Sequence, residues 1–303
     1  DMGARSTGNH PTTTKADGHL LEYLRQTFSA GGGGTNAPGP IVNGHTATGG
    51  VISDYTSGSD VYRAHIFTST GEFDISQIGD FGSTVDVLVV AGGGGGAPSP
   101  VAGSVAGGGG GGGGLVYKPG HSVSAAPYTI TVGAGGIPTA LVGGFSAFGD
   151  DGSSPFPATS LIAIGGGVGG RGPNVAAGNR GGSGGGGDDG VAGSSGIQGT
   201  SPNPRSIPAD SITYGFGNDG GDGNDSAPGY NGGGGGGAGG AGEDSPVPTT
   251  GAGGVGKQYL ISGPPATTQP AGTPGPNPGG GYFAGGGSGG YRYTPRSIGT
   301  AGA

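Results

Sequence analysis

Runs of glycine recur along the chain, and they limit what it can fold into more than any other feature. The main ones occupy residues 92–96, 107–114, 165–170, 181–187, 232–242, 251–256 and 279–290. Glycine brings no side chain to bury and loses the most backbone freedom on ordering. Such runs are either flexible linkers or are held by their own backbone, whose N–H and C=O groups all need partners once they leave water. The spacing is irregular and lacks a Gly-X-Y repeat, which excludes collagen.

Composition favours order. Of 303 residues, 86 are Gly and 24 Pro, a share that by itself reads as low complexity. Yet only 10% of residues are charged and the net charge is −8, too little for self-repulsion to hold the chain open. Leu, Ile, Val and Phe concentrate in residues 1–164. That half can bury a small β core, whereas order in the second half has to come from backbone hydrogen bonds. Cysteine is absent, which excludes disulfides and thiolate metal sites. Without a basic cluster, an apolar stretch of about 18 residues, or a basic segment followed by an apolar one in residues 1–34, nucleic-acid binding, a membrane span and a secretory signal are not expected.

The chain divides into four stretches. In residues 1–34 the first 16 are mostly polar, and the helical spacing of Leu20, Leu21, Leu24 and Phe28 predicts one short helix over 17–29, capped by Asp17 and ended by Gly31 to Gly34. This apolar stripe either covers its own domain or docks and oligomerises the protein. Residues 35–50 form a Pro/Gly linker. Residues 51–164 alternate as strands do at 61–68, 71–75, 85–90, 115–117, 127–132 and 160–164, and several of these run straight into glycine. In residues 165–303 glycine runs are separated by Pro, Asx, Ser and Tyr, the residues of turns.

A left-handed threefold helix rises about 3.1 Å per residue and has no internal hydrogen bonds. Glycine-rich helices of this type can approach closely and pair backbone to backbone. The expected fold is therefore mainly β plus polyglycine II: a small antiparallel β region feeding a bundle or sandwich of packed polyglycine II helices, with one short N-terminal helix. Within one run, tolerance of a side chain should then recur every third residue.

Motifs that suggest chemistry fail on context. Residues 251–257 fit phosphate-loop spacing up to Lys257, but Gln258 replaces the Mg²⁺-binding hydroxyl and no strand precedes them. Ser183 and Ser288 sit in G-x-S-x-G without a preceding strand. The His residues are scattered at 10, 19, 45, 65 and 121. GGDGND at 220–225 matches a single calcium repeat unit, but such sites need stacked copies. A solvated Asx turn and a calcium site both remain open for Asp219 to Asp225. Hence no catalytic residue, cofactor site or metal site is assigned. Tyr230, Tyr259, Tyr282, Phe283, Tyr291 and Tyr293 flank the C-terminal runs. They either cap rods or form a rim that binds sugar or protein.

The strings YRAHIFTSTG at 62–71, VDVLVVAGGG at 85–94, GGLVY at 113–117 and YTITVGAGG at 128–136 resemble the glycine-rich domain family of phage tail and virion structural proteins. The likeness covers roughly residues 48–290. KADGHLLEY at 15–23 looks like the start of some phage structural proteins. The second half is similar in style to the polyglycine II adhesin at tail-fibre tips of contractile-tailed phages. The resemblance implies a non-enzymatic structural or binding protein of a virion: a tail-fibre, head-fibre or adhesin component at the particle surface, extracellular. It would join other virion proteins through its N-terminal segment in an oligomeric assembly and contact a host surface glycan or protein. The alternative is a self-assembling extracellular fibre or surface-coat protein.

Overall fold

A computed structural model describes residues 43–57, 60–97, 106–137, 142–152, 156–171, 178–199, 206–226, 230–246, 248–259, 281–292 and 300–302. The chain forms two units, residues 1–44 and His45–Ala303. The predicted helix over 17–29, with Leu20, Leu21, Leu24 and Phe28, lies outside the described residues, as does Tyr293.

The second unit is mainly β, in several small antiparallel sheets. Twelve strands are described: β1 Thr46–Thr48, β2 Val51–Ser57, β3 Asp60–Ile66, β4 Gly71–Gln77, β5 Thr84–Val90, β6 Leu115–Ser122, β7 Pro127–Thr131, β8 Ser146–Phe148, β9 Leu161–Ala163, β10 Gly215–Phe216, β11 Lys257–Gln258 and β12 Tyr282–Phe283. All the strands expected from alternation are present. β1 falls in the stretch read as a linker. Gly49 and Gly50, both at positive φ, turn β1 into β2, and any side chain on Gly49 would strike the Glu72 carbonyl.

β1-β4-β7-β8-β9 form one sheet and β10-β6-β5 a second, while β2-β3 and β11-β12 are isolated pairs. The two larger sheets share a core of Phe73, Ile75, Val87, Val89, Val116, Ile130, Phe148 and Leu161. A smaller cluster joins Ala147, Ile162 and Ile164 to Ile197 and Ile207, so the second half does contribute apolar side chains. The one helix described, α1 Ala209–Thr213, has no counterpart in the sequence reading. With Gln198 it closes the free edge of β9. Ile164 N–H donates to Gln198 Oε1 (2.7 Å), Ile162 N–H to Ser211 Oγ (2.9 Å), and Gln198 Nε2 to Ser211 O (2.7 Å). Two buried side chains thus do the work of another strand.

The glycine runs bond to one another, with run 107–114 in the middle. Gly108, Gly111 and Gly114 donate to the carbonyls of Gly170, Gly167 and Ile164, three residues apart on both stretches. Gly109 and Gly112 donate to Gly233 and Gly236. In return the run accepts from Ala97, Gly94 and Ala91, from Gly290 and Gly287, and from Gly186. Five other stretches therefore bond to this one, at 2.7–3.1 Å. The spacing of three recurs elsewhere: Gly167 and Gly170 donate to Ser183 and Gly186, and Gly184 and Gly187 to Asn218 and Gly221. Gly232, Gly235 and Ala238 donate to Gly290, Gly287 and Ala284. Some neighbours run parallel and others antiparallel.

The expected tolerance every third residue does not hold in the central run. A Cβ on any of Gly108 to Gly112 would lie under 3.0 Å from backbone of a neighbouring run, and Gly113 is at φ +93°. Each of these Cβ positions points at the backbone of a neighbouring stretch rather than between two of them. Tolerance every third residue appears in the outer run 92–96 instead. There Gly92 and Gly94 are blocked, while a Cβ on Gly93 or Gly96 would come no nearer than 3.6 Å to any neighbour.

Candidate binding surface

The aromatic residues flanking the C-terminal runs fall into two groups. In the first, β11 pairs with β12, placing Lys257 opposite Phe283 and Gln258 opposite Tyr282. Tyr259 N–H donates to Gly281 O, and its ring lies against Tyr117 (centroids 4.4 Å apart) and near Phe216 (6.5 Å). Lys257 Nζ sits 3.9 Å from the centre of the Phe216 ring, a cation–π contact. Burial pushes the Tyr259 phenol above its usual range. Tyr282 is 6% exposed, so it packs inward. Tyr117 and Phe216 were not singled out by the sequence, because they lie far from Tyr259 along the chain and only sheet pairing gathers them.

In the second group the Arg292 guanidinium covers the Tyr230 ring at 4.9 Å and reaches Asp189 at 3.4 Å. Tyr230 is at φ +53°, an uncommon conformation for a bulky residue, held as Arg292 N–H donates to its carbonyl. Burial pushes the Asp189 carboxyl up, and Arg292 opposes that. Tyr291 adjoins Asn231 through a backbone bridge.

The Asp-rich segment serves the backbone. Asp219 and Asp222, three apart, accept from the N–H groups of Gly196 and Gly193, also three apart, each at 2.8 Å. Asp244 accepts from Asp222 N–H at 2.8 Å, and Asn218 Nδ2 donates to Gly237 O at 2.7 Å. These side chains continue the hydrogen-bond spacing of the glycine runs where the chain turns. Among the described residues no three His, Asp or Glu come together as a metal-ligand set.

The nucleotide- and hydrolase-like motifs are likewise absorbed into packing. The N–H groups of Gly251, Gly253 and Gly254 donate to Gly232, Thr300 and Gly235, so they are not turned toward a phosphate. Ser183 is fully buried and its Oγ donates to the Gly113 carbonyl at 2.8 Å. No described helix is long and apolar enough to cross a membrane.

An apolar depression of about 500 Å³ lies at the edge of the glycine region, walled by Phe145, Phe156, Ile162, Ile164 and Ile207 over the backbone of Gly143 and Gly144. No charged or hydrogen-bonding side chain lines it.

No curated protein and no solved structure matches the chain. A family model described as a glycine-rich domain matches residues 68–303, which takes in β4 to β12 and all the glycine runs. The chain belongs to the glycine-rich domain family.

Proposed function

We propose that this protein is a non-enzymatic structural and binding protein of a phage virion, a tail-fibre, head-fibre or adhesin component, and that its glycine runs pack as polyglycine II helices. The observation that carries the packing is the spacing of three in the hydrogen bonds between runs, on both donor and acceptor stretches. A chain with 3 residues per turn presents the same side to a neighbour at every third residue. Five bonded neighbours around one run also suit such a helix, whereas a strand in a β ladder bonds to at most two. The Asp219 and Asp222 carboxylates, which accept from Gly196 and Gly193, fit the same period.

A body cross-linked through its backbone is rigid without a large apolar core. It can display short loops at the ends of its rods, and Tyr230 with Arg292 and Tyr259 with Tyr117 stand at such ends. A Tyr ring with an apolar face and a polar tip suits a glycan or a protein surface. The virion setting rests on the sequence resemblance, and docking through the N-terminal segment rests on its apolar stripe. Identification of the chain by mass spectrometry in purified particles, with surface labelling, tests the setting. Its absence from particles would overturn it. Negative-stain images of the purified protein separate it from the fibre alternative, which requires long filaments from this chain alone. Residue-resolved amide exchange tests the packing: slow exchange should fall on Gly108, Gly109, Gly111 and Gly112, and uniformly fast exchange would refute it.

A further inference from the structure

Run 107–114 has five bonded neighbours, and the place of a sixth is a groove. The N–H groups of Gly107 and Gly110, three residues apart, donate to nothing among the described residues, although both glycines are buried. Every other donor from 108 to 112 is engaged. A buried N–H without an acceptor is rare and costly. Two of them on one side of one run ask for a matching pair of carbonyls.

The walls of this groove carry the same period. On one side stand Gly93 and Gly96, on the other Gly287 and Gly290, and all four are at least partly exposed. A Cβ on Gly96 would lie 3.8 Å from Gly110 N, and one on Gly287 would lie 3.3 Å from it. A Cβ on Gly290 would lie 3.6 Å from Gly107 N. For each of the four the nearest atoms belong to run 107–112 and lie no closer than 3.3 Å, so among the described residues nothing fills the space above the run between the two walls.

We infer that this groove is a docking site for an exposed glycine run of a second copy of this chain, seated as the sixth neighbour of run 107–114. The occupant has to be a threefold extended strand, because the two donors are one threefold turn apart, about 9 Å at 3.1 Å per residue. It has to carry glycine wherever it faces the floor, because there is no room for a Cβ between backbones at hydrogen-bond distance. This chain itself presents such a strand: Gly133 and Gly136, three apart and both partly exposed, accept from no described backbone N–H, and a Cβ on Gly135 would meet nothing nearer than 4.0 Å. A groove on one copy filled by a ridge of another is a heterologous contact, and the discrete particles expected of the proposed function require it to close into a ring. The inference rests on the polyglycine packing proposed above.

The test uses the full chain and the substitutions Gly93→Val and Gly96→Val, separately and together. Both positions are open, so the fold should persist, with the melting temperature unchanged to within a few degrees. Sedimentation of the parent protein should show self-association, and the double variant should sediment as a monomer at the same concentration. In the associated parent the amides of Gly107 and Gly110 should exchange slowly, and in the double variant only these two should become fast while Gly109 and Gly111 stay protected. A parent protein that is monomeric at all accessible concentrations overturns the inference, as does association untouched by the double variant. A large fall in melting temperature without change in association also overturns it, since the groove would then be filled by the chain's own segment. Gly109→Val separates the two readings: if that variant is fully stable, the packing itself fails, whereas an unfolded Gly109→Val beside a still-associating double variant defeats only the docking site.

Discussion

The two halves of the body solve the same problem with opposite materials. Around Leu115, Val116 and Leu161, all fully buried, space is filled by apolar side chains projecting from strands. Around Gly108 to Gly112 it is filled by backbone, and cohesion comes from N–H···O=C bonds between runs. In the first region the harm comes from making a residue smaller, because a cavity is left. In the second it comes from making a residue larger, because there is no space for even one carbon. Truncation is therefore the informative substitution around Leu115, and enlargement around Gly108 to Gly112.

The largest effect is expected at the centre of the glycine region. Gly109→Val would press a branched side chain into the Gly287 carbonyl and part the run from its neighbours. Several hydrogen bonds worth about 1 kcal/mol each would be lost, with overpacking strain in addition. Loss of the cooperative thermal transition is the expected outcome, and a variant that melts like the parent would erase the contrast between the halves.

Leu115→Ala or Leu161→Ala should come next, at about 2–5 kcal/mol for a buried Leu truncated to Ala. Chemical denaturation measures this. If the loss were below about 1 kcal/mol, the apolar core would be incidental and the glycine region would hold both halves together.

His121 should make the β half sensitive to acid. It is 4% exposed, packs edge-on against Phe148, and its Nδ1 meets no partner among the described residues. Burial lowers its pKa below the usual 6.5, and Lys118 adds to this against Asp210. The unfolded chain thus binds the proton more readily. The stability this group confers is complete above about pH 6.5 and is lost as pH falls through the folded-state value. Melting curves between neutral and mildly acid pH should fall more steeply for the parent than for His121→Phe, and parallel curves would exclude this residue as the cause.

A smaller effect is expected in the β2-β3 pair. Arg63 holds Asp54 through two bonds, at 2.7 and 2.8 Å, and the Arg63 hydrogen bond keeps the Asp54 carboxyl below its usual range. Both side chains are about half exposed, so Asp54→Ala should cost no more than about 1 kcal/mol and less in high salt.

The smallest effect belongs to the outer run. Gly93→Ala and Gly96→Ala should be neutral or slightly stabilising, by up to about 1 kcal/mol through the unfolded state. Gly94→Ala, one residue away and blocked by run 165–170, should be severe. Equal effects at 93 and 94 would remove the evidence for a period of three.

Much of the β half was legible because alternation of apolar and polar residues is a local signal, and strands at 61–68, 85–90 and 127–132 follow it. The glycine runs themselves were legible as backbone-held segments. The partners were not. Nothing near Gly109 in the sequence names Gly233, and nothing near Gln198 says that its amide closes the edge of β9. For Asp219 and Asp222 the sequence left an Asx turn and a calcium site open, and their carboxylates extend the spacing of the glycine bonds, a role defined only by Gly193 and Gly196 across the gap. Tyr117 and Tyr259 meet only after the sheets are assembled.

The sequence by itself determined that a large part of this chain could be stabilised only by backbone pairing, since glycine offers nothing else to bury. It also determined where the glycine runs end, since Pro, Asx and Ser set turns through local dihedral and hydrogen-bond preferences. Only the tertiary structure decided which runs are neighbours, which glycines face a neighbour and which face open space. A run of identical residues carries no address. Its register and its surroundings are chosen by side chains and turns elsewhere, through contacts far apart along the chain.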